Sequence, residues 1–326
     1  MIVTLTANPS LDRTVVLTGP LERGTVQRAA TALVDPGGKG INVARVLHGA
    51  GRPVLAVLPA NTGDPLLAAL DDRGIPYCSV PTSGPARTNI TIAEPDGTTT
   101  KLNEPGTDSG EATITGLLAA VADNAAGATW AVLSGSLPPG VPDGWYADVV
   151  RALRSTHCRI AVDTSEGPLL ALAAQFPEAA PDVIKPNTDE LAQLTGADAA
   201  SLEAAVHSGD LTPVVTTARS LVERGVGAVL ATLGGAGAVL VSSDGAWRAV
   251  PPPVVARSTV GAGDSSLAGF LLAEQAGLGP ADRLRHAVAY GSAAVALPGT
   301  ELPGPVDATV VQVTDLDIPA RSLPHP

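Results

Sequence analysis

The chain has 326 residues, 45% of them hydrophobic, enough to bury a large core as one large domain or two small ones. Its formal net charge of −12 argues against nucleic acid as a partner but permits small anions in a cleft where Lys, Arg and backbone N–H cluster. Two cysteines, Cys78 and Cys158, are too few for a disulfide framework or a metal cluster, and no window approaches the ~18–20 apolar residues of a membrane helix.

Ile2–Ala7 reads as a first strand with no basic region before it, so a signal peptide is not expected and a cytoplasmic protein is. Asn8-Pro9-Ser10-Leu11-Asp12 follows the C-terminal end of that strand. Asp12 suits two roles there, an acceptor for vicinal sugar hydroxyls or a plain turn residue. Asp35-Pro36-Gly37-Gly38-Lys39-Gly40-Ile41-Asn42 is a glycine-rich turn opening a helix over Lys39–Gly49. It lacks the Gly-Lys-Ser/Thr of a P-loop and the spacing of a dinucleotide fingerprint. Lys39 and Asn42 share one face of the first helical turn, where a phosphate or a sugar hydroxyl can be held.

Val54–Leu58 and Pro65–Asp72 are the next strand and helix. Ala86–Leu102 then reads as a hairpin around an Asp96-Gly97 turn. This segment and Leu11–Val34 do not fit the alternation of strands and helices. Both leave the chain on the ligand side, so segments 11–34 and 86–104 predict a small accessory sheet, a lid that keeps water from a transfer reaction.

Beyond the hairpin the alternation resumes: helices Ala112–Ala126, Gly144–Arg154, Asp189–Thr195 and Pro213–Glu223, with strands Thr129–Leu133, Arg159–Asp163, Val183–Lys185 and Ala228–Leu233. It predicts a mostly parallel sheet with helices on both faces and ligands beyond the C-terminal strand ends. Ser134-Gly135-Ser136-Leu137-Pro138 leaves one strand on that side. After Val183–Lys185 come Pro186-Asn187-Thr188-Asp189-Glu190. Asn187 and Glu190 admit two readings: a helix capping box, or a Mg²⁺ site whose shell is mostly water and phosphate. Thr232-Leu233-Gly234-Gly235-Ala236-Gly237 is either a turn between strands or a floor under nucleotide phosphates. The proline clusters Pro251–Pro253 and Pro303–Pro305 read as loops, and the last dozen residues as poorly ordered.

Arg257-Ser258-Thr259-Val260-Gly261-Ala262-Gly263-Asp264 says most about chemistry. A Gly261-Ala262-Gly263 turn before the apolar spacing of Leu267, Phe270 and Leu271 places unpaired N–H groups and the positive end of a helix dipole together. That is an anion site fit for phosphate. Asp264 beside it suits either a helix cap or a carboxylate that orients an attacking hydroxyl. The helix end is expected to lower its pKa. The five histidines, 48, 157, 207, 286 and 325, lie outside every motif, so histidine-driven acid–base chemistry is not expected.

Taken together these stretches resemble the ribokinase-like carbohydrate kinases of the pfkB family, over nearly the whole chain and in the family's order. Gly37–Asn42 is similar to its N-terminal signature, Arg257–Asp264 to its C-terminal signature, and Lys185-Pro186-Asn187 with Glu190 to its Asn-x-x-Glu metal motif. Thr6-Ala7-Asn8-Pro9-Ser10-Leu11-Asp12, Arg87-Thr88-Asn89 and Ser134–Pro138 resemble the branch that phosphorylates fructose 1-phosphate or tagatose 6-phosphate. The resemblance implies one α/β domain over 1–326, a three-layer α/β/α sandwich with a β-sheet lid. It implies ATP and Mg²⁺, a monovalent cation such as K⁺ near Thr259–Val260, and a homodimer through the lid. The expected reaction is 1-phosphofructokinase chemistry, with tagatose 6-phosphate or fructose 6-phosphate as alternative acceptors and a non-catalytic sugar-phosphate sensor as the outlying case. Asp264 is the implied base, with the amides of Gly261, Ala262 and Gly263 as its anion hole. Asp12, Gly37, Gly38, Asn42, Asn89, Glu104 and Ser136 face the sugar, with Lys39 and Arg87 on its phosphate. Lys185, Asn187, Thr232, Gly234, Gly237 and Ser292 line the ATP side, with Asn187 and Glu190 at the metal.

Overall fold

The structure is a computed structural model that describes residues 1–316; the expectation for the chain end falls almost wholly on 317–326, outside them. The chain begins with β1 (Ile2–Leu5), leaves through β2 (Ser10–Val16) and β3 (Thr31–Gly37), and returns by α1 (Lys39–Gly49) to β4 (Val54–Pro59). After α2 (Pro65–Asp72) and β5 (Tyr77–Val80) it leaves again as the hairpin β6 (Arg87–Ala93) and β7 (Thr99–Asn103). Next come α3 (Glu111–Ala125), β8 (Trp130–Ser134), α4 (Trp145–Leu153), β9 (Arg159–Asp163), α5 (Glu166–Ala173) and β10 (Val183–Ile184). Helices α6 (Thr188–Thr195), α7 (Ala199–Ser208) and α8 (Thr212–Glu223) lead to β11 (Ala228–Thr232), β12 (Ala238–Ser242) and β13 (Gly245–Val250). The helix pair α9 (Ala262–Gln275) and α10 (Pro280–Val295) precedes β14 (Gln312–Asp315).

Ten strands form the central sheet in the order β14-β13-β12-β11-β10-β9-β8-β1-β4-β5. Strands β11 to β5 pair in parallel, and β12, β13 and β14 add an antiparallel edge. β1 is buried along its whole length, as a parallel strand covered on both faces must be. Its alternation assigns Ile2 to one helical layer, with Ile41, Leu267 and Phe270, and Val3 and Leu5 to the other, with Leu117, Tyr146 and Val150. Each such side chain, fully buried, contributes about 1.5–3 kcal/mol. A third cluster around Leu191, Val214 and Leu221 supports the β10–β11 half of the sheet. No described helix is long and apolar enough to cross a membrane.

The lid is a separate four-stranded sheet, β3-β2-β6-β7. The sequence predicts its two segments but not how they join: β2 pairs in parallel with β6, placing Ser10 opposite Arg87 and Asp12 opposite Asn89. β3 also runs past Val34 to Gly37, so the lid leads directly into α1. Pro36 is tolerated there because β3 is an edge strand.

Candidate active site

The C-terminal ends of β1, β8, β9 and β10 and the N-termini of α1 and α9 converge beneath the lid. Gly261 caps α9 in a left-handed conformation (φ 73°). The first bond inside the helix runs from the Ser265 N–H to the Gly261 carbonyl at 2.8 Å. The amides of Gly263 and Asp264 precede that bond and lack a carbonyl one turn back, so they project from the helix end, whereas the Ala262 N–H, expected in the same anion hole, is directed to the Thr259 carbonyl at 3.5 Å. Asp264 itself is only 6% exposed. Its Oδ2 accepts a hydrogen bond from Asn42 Nδ2 at 2.9 Å.

Asp163, buried at the end of β9, binds two lysines. Lys39 Nζ donates to its Oδ1 at 2.8 Å, and Lys185 Nζ lies 3.2 Å from its Oδ2. Lys185 also abuts the α9 turn: a Cβ at Gly263 would meet Nζ at 3.0 Å. One ammonium therefore sits over the anion-binding amides. Asp163 joins two of the candidate site residues, and the sequence reading does not single it out. The available signal was a carboxylate closing an apolar strand on the ligand edge.

Electrostatics separate the two aspartates. Burial, and then the negative charge of Asp163, push Asp264 up to about 6; Lys39, the Asn42 amide and Lys185 pull the other way. The sequence reading weighs only the helix end and expects a lowered pKa; the net shift is upward, because burial and Asp163 outweigh the groups that favour the carboxylate. For Asp163 burial also favours the neutral acid, but Lys185 and Lys39 outweigh it and hold the group below the usual carboxylate range. Burial alone would depress Lys39; Asp163 and Asp264 outweigh it and hold the ammonium above its usual range.

A second cluster lies where the lid strands β2 and β6 meet, around the residues expected to face a sugar. Asp12 Oδ1 accepts from Ser10 Oγ at 2.7 Å and Asn89 Nδ2 at 3.0 Å. Its carboxylate lies against Gly37 so closely that a Cβ there would overlap it. Arg87 donates from Nη1 to the Glu104 carbonyl at 3.0 Å. Arg87 Nε and Asn89 Oδ1 are buried without a hydrogen-bond partner among the described residues. A buried donor and acceptor of this kind call for a polar ligand. Burial depresses the Arg87 pKa against the pull of Asp12 and Glu104.

Two sugar-side expectations meet a different geometry. Glu104 is exposed, and its Oε2 accepts the Thr88 N–H at 2.8 Å, which pins the end of β7 to β6 rather than offering an acceptor to a sugar. Lys39 is occupied by Asp163 instead of standing free for a substrate phosphate. Ser136 is exposed and accepts from Asn8 Nδ2 at 3.4 Å. Asn8, unassigned by sequence reasoning, also donates to the Pro105 carbonyl at 3.0 Å and so ties the strand end to the lid.

On the remaining side, Asn187 and Thr232 form a parallel bridge beside the Gly234–Ala236 turn. Gly237 (φ 94°) closes that turn, and Ser292 Oγ on α10 is buried without a hydrogen-bond partner among the described residues. Asn187 and Glu190 form a complete capping box: Glu190 N–H to Asn187 Oδ1 at 2.8 Å, and Asn187 N–H to Glu190 Oε2 at 2.9 Å. The capping reading therefore holds. No group of three or more His, Cys, Asp or Glu able to hold a metal occurs among the described residues. Glu190 Oε1 stays outside the box, and one hard oxygen suits Mg²⁺, which keeps most of its waters and takes phosphates as ligands.

The chain and its fold are similar to those of known proteins. The chain is 36% identical over 308 residues to the 1-phosphofructokinase of Rhodobacter capsulatus, covering 93% of each protein. It is 34% identical over 307 residues to the ATP-dependent 6-phosphofructokinase isozyme 2 of Escherichia coli K12, covering 92% of this chain and 94% of the other. The crystal structure of Escherichia coli phosphofructokinase-2 in complex with substrates and products superposes with a TM-score of 0.82 at 32% identity, covering 92% and 94% of the two chains. The family model for pfkB carbohydrate kinases matches residues 5–307, and the chain belongs to that family.

Proposed function

We propose that the chain transfers the γ-phosphoryl group of ATP to the free primary hydroxyl of fructose 1-phosphate, giving fructose 1,6-bisphosphate. The observation that carries this reading is Asp264: a buried carboxylate beside the open amides of a helix end, with the Lys185 ammonium packed on the same turn. Asp264, ionised above about pH 6, accepts the hydroxyl proton as the oxygen bonds to phosphorus and the bond to ADP breaks. The amides of Gly263 and Asp264 and the Lys185 ammonium meet the charge on the moving phosphoryl group. Asn42 orients Asp264, and Asp12 and Asn89 hold the sugar hydroxyls. Arg87, with a buried donor to spare, takes the sugar phosphate as a planar fork. Mg²⁺, when bound near Glu190, supplies charge neutralisation at the β- and γ-phosphates. Thr232, Gly234, Gly237 and Ser292 line the nucleotide side, and K⁺ near Thr259–Val260 belongs to the same reading.

Two lid features extend the proposal. Leu33 and Val34 on β3 are 52% and 53% exposed and Leu102 on β7 is 56% exposed, so both edge strands present apolar side chains. A homodimer through the lid covers them. The cytoplasm is the proposed location, since ATP is supplied there. The similarity to a 6-phosphofructokinase favours fructose 6-phosphate as the second reading of the acceptor. Ranking kcat/KM across fructose 1-phosphate, fructose 6-phosphate, tagatose 6-phosphate and free fructose tests the reading. The highest value for fructose 1-phosphate supports it. Failure to consume ATP with any acceptor leaves a sugar-phosphate sensor instead.

A further inference from the structure

Asn42 presents two polar atoms, and the structure engages both. Its Nδ2 donates to Asp264 Oδ2 at 2.9 Å, and its Oδ1 accepts from Arg45 Nη1 at 3.3 Å. A guanidinium has no acceptor, so only the amide oxygen can face Arg45. That leaves the amide N–H₂ facing Asp264. The reversed amide would set N–H₂ against the guanidinium and oxygen against the carboxylate, two repulsive contacts in a site where all three side chains are nearly inaccessible.

Arg45 is itself fixed. Its Nη1 also donates to the Pro36 carbonyl at 3.2 Å, and its Nη2 reaches Asp35 Oδ1 at 3.4 Å and the Thr300 carbonyl at 3.3 Å. Asp35 lies 4% exposed on lid strand β3, where Thr300 Oγ1 donates to it at 2.7 Å and Arg73 pairs with it from the end of α2. The Arg45 side chain is 8% exposed. Such a construction is costly unless every member is satisfied, and one that joins a lid strand, α1 and the C-terminal loop to the base is more than local packing.

We propose that Arg45 is a positioning residue for Asp264: it fixes the amide orientation of Asn42 and ties that orientation to the seating of the lid through Asp35. The proposal rests on the kinase reading for its catalytic meaning, but its physical content is a property of the folded chain alone. With Arg45 in place, Asn42 donates and favours the carboxylate. Without it, Asn42 is free to turn and offer its oxygen to protonated Asp264, which favours the acid. The other groups facing Asp264 are Asp163 on β9, Lys39 on α1 and Lys185 after β10, with Glu190 acting on Lys39; those facing Arg45 are Asp35, Arg73 and Asp12. None of them changes in the variant.

The test is a carboxyl ¹³C titration of the full chain, with Asp264 assigned by its disappearance in D264N. In R45M the Asp264 midpoint rises by about one pH unit, the size of one lost hydrogen bond to a charged acceptor. R45K, which keeps a donor toward Asn42 Oδ1, returns the midpoint toward the wild-type value. An unchanged midpoint in R45M overturns the proposal, however much activity is lost. If R45M does not fold, D35N/R45M removes the buried carboxylate that has lost one of its two guanidinium partners and is read in the same way. The kinase reading fails separately, by a wild-type chain that titrates normally and transfers no phosphoryl group to any sugar phosphate.

Discussion

Asp163 holds Lys39 charged while pushing Asp264 toward its neutral form. The two carboxylates share two lysines, but only Asp163 is paired directly with both. One aspartate is thereby spent as a fixed counterion and the other is left as the group that titrates.

The first prediction concerns Asp264→Asn. Turnover falls about 10²–10⁴-fold, the range for loss of a positioned proton acceptor, while KM for ATP stays within a few-fold. In the wild type, the acid limb of the kcat/KM profile, which reports the free enzyme, has its midpoint near pH 6, where Asp264 protonates.

Stability should move the opposite way. Asp264 has a folded-state pKa of about 6 against an ordinary value of 3.8, so the native state binds the proton more tightly. Wild-type stability therefore falls as pH rises from about 4 to about 6 and stays reduced above that. D264N lacks this penalty and should be more stable at pH 8, by on the order of 2 kcal/mol. The difference should vanish below pH 4. Thermal melts of both proteins at pH 8 and pH 3.5 check this, and equal melting temperatures at pH 8 would sink it.

Asp163→Asn leaves the buried Lys185 ammonium without its countercharge, so a loss of about 3–5 kcal/mol is expected in urea melts. In whatever fraction folds, the acid limb of kcat/KM should move to lower pH, because a charge that raises the Asp264 pKa is gone. A limb that moves upward would contradict the assigned electrostatics.

On the sugar side, Arg87→Ala should raise KM for the sugar phosphate about 10- to 100-fold, the worth of a charge-assisted contact, with a smaller change for ATP. Gly37→Ala should act in the same direction by displacing Asp12. Equal effects on both substrates would place Arg87 outside the sugar site.

Glu166 is the one non-glycine residue with positive φ (56°) among the described residues, at the start of α5. Left-handed backbone costs a side-chain-bearing residue about 1–2 kcal/mol. Glu166→Gly should therefore raise Tm, by the equivalent of about 1 kcal/mol. A lower Tm would show that the Glu166 side chain has a stabilising role that outweighs the strain.

What the sequence reveals about this site follows the range of the forces involved. The glycine turns at Gly37–Gly38 and Gly261–Gly263 and the Asn187–Glu190 cap are local, with partners within a few residues, and each is legible as written. Asp163 is not, because its meaning depends on Lys39, 124 residues away. Arg45 carries no signal in the sequence, because Thr300, whose carbonyl it meets, lies 255 residues away. The pKa of Asp264 was misjudged for the same reason: the helix end is local, but burial is made by the whole fold. α10 also went unread, because it packs against α9, β12, β13 and β14 and its buried positions, from Leu284 to Ala294, include small residues that blur the periodicity.

The parallel pairing of β2 with β6 has a kinetic consequence. A hairpin such as β6–β7 zips on its own within microseconds, but Asp12 and Asn89 are 77 residues apart and meet only after β1, α1 and β4 have laid the intervening chain across the sheet. Loop-closure entropy therefore predicts that the pairing which completes this pocket forms late in folding. The same pairing is expected to open before the parallel sheet on gentle heating, so sugar binding should be lost while far-UV circular dichroism still reports an intact fold.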